Sequence, residues 1–86
     1  MAAESILVVD DSPVTSKVAH LLLTREGYDV RTAGDAEAAL EMLRAYRADL
    51  VLADMHLPGM DGLEMTRRIK RDTRTRNTTV VAFTAS

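Results

Sequence analysis

The sequence contains no cysteine and no tryptophan, and its only aromatic residues are Tyr28, Tyr46 and Phe83. The lack of thiols excludes a disulfide scaffold, a thiolate metal centre and a cysteine nucleophile. The scarcity of rings leaves the core to aliphatic residues and counts against a base-stacking platform for single-stranded nucleic acid. Two histidines, His20 and His56, cannot build a histidine-rich zinc site. Long apolar runs are also missing. Ile6 to Val9 is the longest near the start, too short for a signal peptide or a membrane span. The expected compartment is therefore the cytoplasm.

What is present fits one small globular domain. A chain of 86 residues has no room for two domains, and 47% hydrophobic with 28% charged residues argues against disorder. A domain of this size buries only about 60–65% of the surface its unfolded chain exposes, so its stability margin is thin. The net charge of −2 is unevenly spread: residues 67 to 76 carry six basic side chains against the single acid Asp72. A solvated helix end and loop is the plain reading of that run, with docking of an acidic partner as the alternative. One short basic patch without a reading helix is weak ground for nucleic-acid binding.

The apolar pattern changes period along the chain. Ile6-Leu7-Val8-Val9 reads as a strand buried on both faces, ending at Asp10-Asp11. Ser12 as N-cap and Pro13 open a helix with Val14, Val18, Leu21 and Leu22 at helical spacing, and Gly27 stops it. Tyr28 to Thr32 alternates like a strand near a sheet edge. Asp35 caps a second helix with the stripe Ala36, Ala39, Leu40 and Leu43, closed by Tyr46. Leu50 to Ala53 is a third strand ended by Asp54, followed by a loop through Pro58-Gly59. Asp61 and Glu64 have the spacing of a capping box for a helix over 62–71, and Val80 to Phe83 is a fourth strand. This βαβαβαβ order predicts an α/β fold, a parallel sheet with helices on both faces.

Asp10, Asp11, Asp54 and Thr84 each follow a strand, so all fall on the carboxyl-end rim, where such sheets carry their sites. Should the first and third strands be neighbours, three carboxylates converge. Such charges repel unless a cation sits between them, and a few carboxylate oxygens with water suit Mg2+. A lone Asp-Asp pair would be no more than acids at a helix N-terminus. Apolar strand plus Asp-Asp, apolar strand plus Asp and apolar strand plus Thr, in that order, is far more specific. His20 reads as surface or boundary. Met42, Met60 and Met65 read as core or loop filler. No Gly-rich loop is present to cradle a nucleotide.

Three segments carry a resemblance: residues 6–11 (Ile-Leu-Val-Val-Asp-Asp), residues 50–62 (Leu50 through Asp54, Pro58-Gly59-Met60 and Asp61-Gly62) and residues 80–85 (Val-Val-Ala-Phe-Thr-Ala). In these the chain resembles the CheY-like receiver domain of two-component response regulators. The resemblance implies a doubly wound, flavodoxin-like sheet with strand order 2-1-3-4-5. It implies Asp54 as phosphoacceptor, with Asp11 and Asp54 on Mg2+ directly, Asp10 largely through water and the His56 backbone carbonyl as a further ligand. It implies that Thr84 donates its hydroxyl, and Ala85 its backbone N–H, to the phosphoryl group. The positions of His56 and Ser86 are ones that tune how long that group survives. The partner implied is a histidine kinase or histidine phosphotransfer protein, and the protein is a switch that catalyses its own phosphorylation and dephosphorylation.

The family fold has five strands and five helices, whereas residues 1–86 correspond to its N-terminal two-thirds. The family's phosphoryl-contacting lysine and its fifth-strand aromatic have no counterpart here. The sheet is expected to be incomplete, with Val80 to Phe83 as an apolar edge open to self-association. Two other functions stand beside the signalling one. A hydrolase of haloacid-dehalogenase type would need Asp-x-Asp after a strand, but Asp54-Met55-His56 lacks the second acid. The other is an assembly fragment without activity.

Overall fold

The structure, a computed structural model, describes residues 3–57 and 59–83. Strands β1 (Ser5–Val9), β2 (Asp29–Ala33), β3 (Leu50–Asp54) and β4 (Thr79–Phe83) alternate with helices α1 (Pro13–Arg25), α2 (Ala36–Met42) and α3 (Gly62–Arg71). All strand pairs are parallel, in the order β2-β1-β3-β4. β1 is therefore central, which explains its unbroken apolar run. Ile6 and Val8 face α1, while Leu7 and Val9 join the larger cluster beneath α2 and α3. The register sets Val9 beside both Ala33 and Ala53, so β1 and β3 end level and the residues after them come together.

The helix starts follow their caps. Thr15 N donates to Ser12 Oγ, Ala38 N to Asp35 Oδ1 and Glu64 N to Asp61 Oδ1. The expected capping box at Asp61 is half made, because the Glu64 side chain turns instead to Arg68 at 3.1 Å. α3 buries Gly62, Met65 and Ile69 at helical spacing. Met42 and Met60 pack against the same cluster, as filler should.

Two expectations change in the folded chain. The α1 stripe has the right spacing, but it is not core: Val14, Val18, Leu21 and Leu22 are all exposed, Val14 by 73%. Ala19 and Leu23 make the contact with the sheet, and no residue of α1 is buried. Periodicity shows that apolar residues share a face; it does not supply a partner for that face. The second difference is Tyr46, which lies beyond the end of α2. Its ring is buried, its hydroxyl donates to the Asp29 carbonyl at 3.2 Å, and the Arg31 guanidinium stacks 4.3 Å above it.

The turn from α3 to β4 is pinned by side chains. Arg74 pairs with Asp72 at 2.8 Å, while Lys70 Nζ donates to the carbonyls of Arg76 and Thr78. The hydrogen bonds from Arg74 hold the Asp72 carboxyl down to about 2. A lowered folded pKa gives a contribution present above the unfolded value of 3.8 and lost as pH falls through about 2. An NMR titration of Asp72 should show the low midpoint. In Arg74→Ala the midpoint should return toward the ordinary carboxylate range.

Candidate functional site

Asp10 extends the β1 ladder by one hydrogen bond, its N–H donating to the Ala33 carbonyl at 3.1 Å. The carboxylate is buried. Its Oδ1 accepts from Ser12 N at 2.8 Å, but its Oδ2 is buried with no hydrogen-bond partner. Asp54, the last residue of β3, is also buried, and its Oδ1 accepts from His56 N at 3.0 Å. Asp11 is exposed at the rim. Carboxylate oxygens of all three lie within 4.8 Å of one another.

Such a cluster is costly by itself. Three negative charges at this separation repel, and a buried carboxylate oxygen without a donor has lost its water for no return. A hard cation relieves both penalties. The donor set is all carboxylate oxygen, which suits Mg2+ better than a softer metal. The orphaned Asp10 Oδ2 is the observation that makes this more than an acidic patch.

The surroundings hold the pocket in shape. Ser16 Oγ donates to the Asp10 carbonyl at 3.3 Å, fixing the first turn of α1 against the end of β1. Met55 N donates to the Phe83 carbonyl at 2.8 Å, tying the segment after Asp54 to the end of β4. A Cβ on Gly62 would sit 3.0 Å from the Asp54 carbonyl oxygen. Glycine, having no Cβ to crowd that carbonyl, lets α3 begin this close to the Asp54 backbone. The Ser16 and Gly62 contacts were not legible in the sequence; the one hint was glycine at the first position of a capped helix.

The predicted residues therefore divide. Asp10, Asp11 and Asp54 come together. His56 sits beside them, its side chain exposed and its backbone N–H engaged by Asp54. Thr84, Ala85 and Ser86 lie outside the described residues. Among the described residues no helix is long and apolar enough to cross a membrane.

A parallel α/β sheet with an acidic pocket at its carboxyl rim defines a class in which site and fold arise together. The profile of the response regulator receiver domain matches residues 6–86. The chain belongs to that family. It is 47% identical over its whole length to part of the sensor histidine kinase AruS of Pseudomonas aeruginosa, covering 9% of that protein. It is 42% identical over 80% of its length to the DNA-binding response regulator MtrA of Mycolicibacterium smegmatis, covering 30% of it. The chain thus spans less than a third of these relatives. Among solved structures, the N-terminal domain of a response regulator receiver protein from Methanoculleus marisnigri shares 46% identity, with a TM-score of 0.90 over 95% of this chain and 67% of that one. Response regulator TrrA from Thermotoga maritima, solved with Mg2+ and BeF, shares 34% identity, with a TM-score of 0.87 over 96% of this chain and 70% of that one.

Proposed function

We propose that this chain is a phosphoacceptor, taking a phosphoryl group onto Asp54 from a histidine kinase or histidine phosphotransfer protein in the cytoplasm. The observation that carries the reading is the meeting of Asp10, Asp11 and Asp54 around a buried oxygen with no donor. An Asp54 oxygen forms the bond to phosphorus while the bond from phosphorus to the donor imidazole nitrogen breaks, the electron pair leaving with nitrogen. Water later attacks phosphorus, which releases phosphate and restores the carboxylate. Mg2+ held by Asp11 and Asp54, with Asp10 through water and the His56 carbonyl, would neutralise charge on the transferring oxygens. The His56 N–H steadies one Asp54 oxygen, leaving the other for attack. Thr84 and Ala85 would donate to the phosphoryl group. The protein is on this reading a switch more than a turnover enzyme. Intact mass after incubation with acetyl phosphate tests it: one added phosphoryl group, dependent on Mg2+, is expected. A folded chain that gains none in Mg2+ overturns it.

A second observation favours another copy of the chain as a further partner on this reading. Among the described residues β4 lies at the end of the sheet with Val81 exposed, and the exposed α1 arc of Val14, Val18, Leu21 and Leu22 adds apolar surface. Sedimentation should show a concentration-dependent dimer that Val81→Lys weakens. A monomer at all concentrations would remove this part of the reading.

A further inference from the structure

At the opposite end of the sheet from Asp54, the loop before β3 and the turn before β4 enclose two adjoining hollows of 260 and 350 Å3. They share Arg47, Ala48, Arg74 and Thr78. Arg44 lines one, while Asn77 and Asp49 line the other. None of these residues belongs to the acidic pocket, and the phosphoacceptor reading gives them no task.

The walls are built before any ligand arrives. Thr78 Oγ1 donates to the Ala48 carbonyl at 3.1 Å, joining the two walls directly. Lys70 holds the Thr78 carbonyl from behind, and Asp72 fixes the Arg74 guanidinium at 2.8 Å. The donors facing the hollows are in surplus. Among the described residues, Arg47 makes no ion pair or side-chain hydrogen bond, and the Asn77 side chain makes none. Arg44 has only a loose contact with Glu41 at 3.5 Å, both side chains being largely exposed. A groove whose three guanidinium groups outnumber its one carboxylate, Asp49, and whose walls are already hydrogen-bonded together suits an anion, because less order has to be imposed on binding.

We infer that this groove docks an acidic polypeptide segment, whose carboxylates meet Arg44 and Arg47, beside the Arg74 guanidinium that Asp72 holds in place. Two hollows in series are longer than one phosphate requires. Asp49 at one end would repel a continuous phosphate backbone, yet it can accept from a peptide N–H or a hydroxyl. No exposed ring is available there to stack a base, since Tyr46 is buried under Arg31. Ala45 and Ala48 supply the apolar floor that a peptide main chain can lie on. Part of the basic run of residues 67–76, otherwise a solvated helix end, gains a role in this way.

The test is fluorescence anisotropy of the whole chain with a fluorescein-labelled decapeptide of alternating glutamate and serine. Saturable binding that weakens with salt is expected. Arg47→Glu should weaken it about tenfold or more, as loss of a charged hydrogen bond plus repulsion implies. Arg67→Glu on α3, outside the groove, should change it less than about twofold. Asp54→Asn should bind as the wild type does, which separates this inference from the phosphoacceptor reading. Amide shifts at Ala48, Asn77 and Thr78 should mark the groove in NMR spectra of the wild type. No saturable binding overturns the inference, as does equal loss in the two arginine variants. Displacement by inorganic phosphate at equal concentration would make the site a simple anion site, and tighter binding of a thymidine oligonucleotide would make it a nucleic-acid surface. Either outcome overturns the peptide assignment.

Discussion

Asp54→Asn should gain no phosphoryl group under conditions that load the wild type, and it should fold at least as well. The carboxamide keeps an oxygen where Asp54 Oδ1 accepts from His56 N, so the loop after β3 retains its anchor. The change deletes the proposed nucleophile and one of three clustered negative charges. Relief of that repulsion should raise the stability of the metal-free chain by ~1–3 kcal/mol, read as a higher urea midpoint at unchanged slope. Asp11→Asn makes the informative contrast. Residue Asp11 is exposed, and the proposed nucleophile Asp54 is left in place. Mg2+ affinity should fall about tenfold or more, with phosphorylation slowed yet restored at high Mg2+. Phosphoryl gain by Asp54→Asn would move the acceptor elsewhere. Unchanged Mg2+ affinity in Asp11→Asn would remove Asp11 from the ligand set.

The site was legible because each of its acids follows an apolar strand. Three short apolar runs, closed by Asp10-Asp11, Asp54 and Thr84, place these residues on one rim once the strands are parallel, and the β1–β3 pairing then brings Asp10 and Asp54 together. What stayed hidden depends on distance through space. Gly62 looks like an ordinary helix start until its missing Cβ is set 3.0 Å from the Asp54 carbonyl. The basal groove needs Ala48 and Thr78 to meet, and no local pattern reports a contact between residues 30 apart. The α1 stripe failed differently. Val14, Val18, Leu21 and Leu22 do share a helix surface, but the sheet beneath meets only the neighbouring arc of Ala19 and Leu23. Amphipathic spacing records a demand for cover, and the described residues do not meet that demand.

That asymmetry sets the largest expected effect on stability. Met65→Ala should cost about 2–5 kcal/mol, the usual loss for a large buried side chain that leaves a cavity. Met65 is 0% exposed and belongs to the cluster that joins α3 to Val9, Val51 and Ala53. A chain of 86 residues has on the order of 4–13 kcal/mol to lose, so this one change should bring much of the population close to unfolding at 25 °C. Leu22→Ala is the matched comparison: the side chain is also large and apolar, but it is 55% exposed on α1. It should shift stability by no more than about 0.5 kcal/mol in dilute solution. Urea denaturation of the two variants at low protein concentration separates them. A small effect at Met65 would mean that the α2–α3 side does not hold the fold. A large effect at Leu22 that grows with concentration would mean that a second copy covers the α1 arc, because stability gained by association follows mass action.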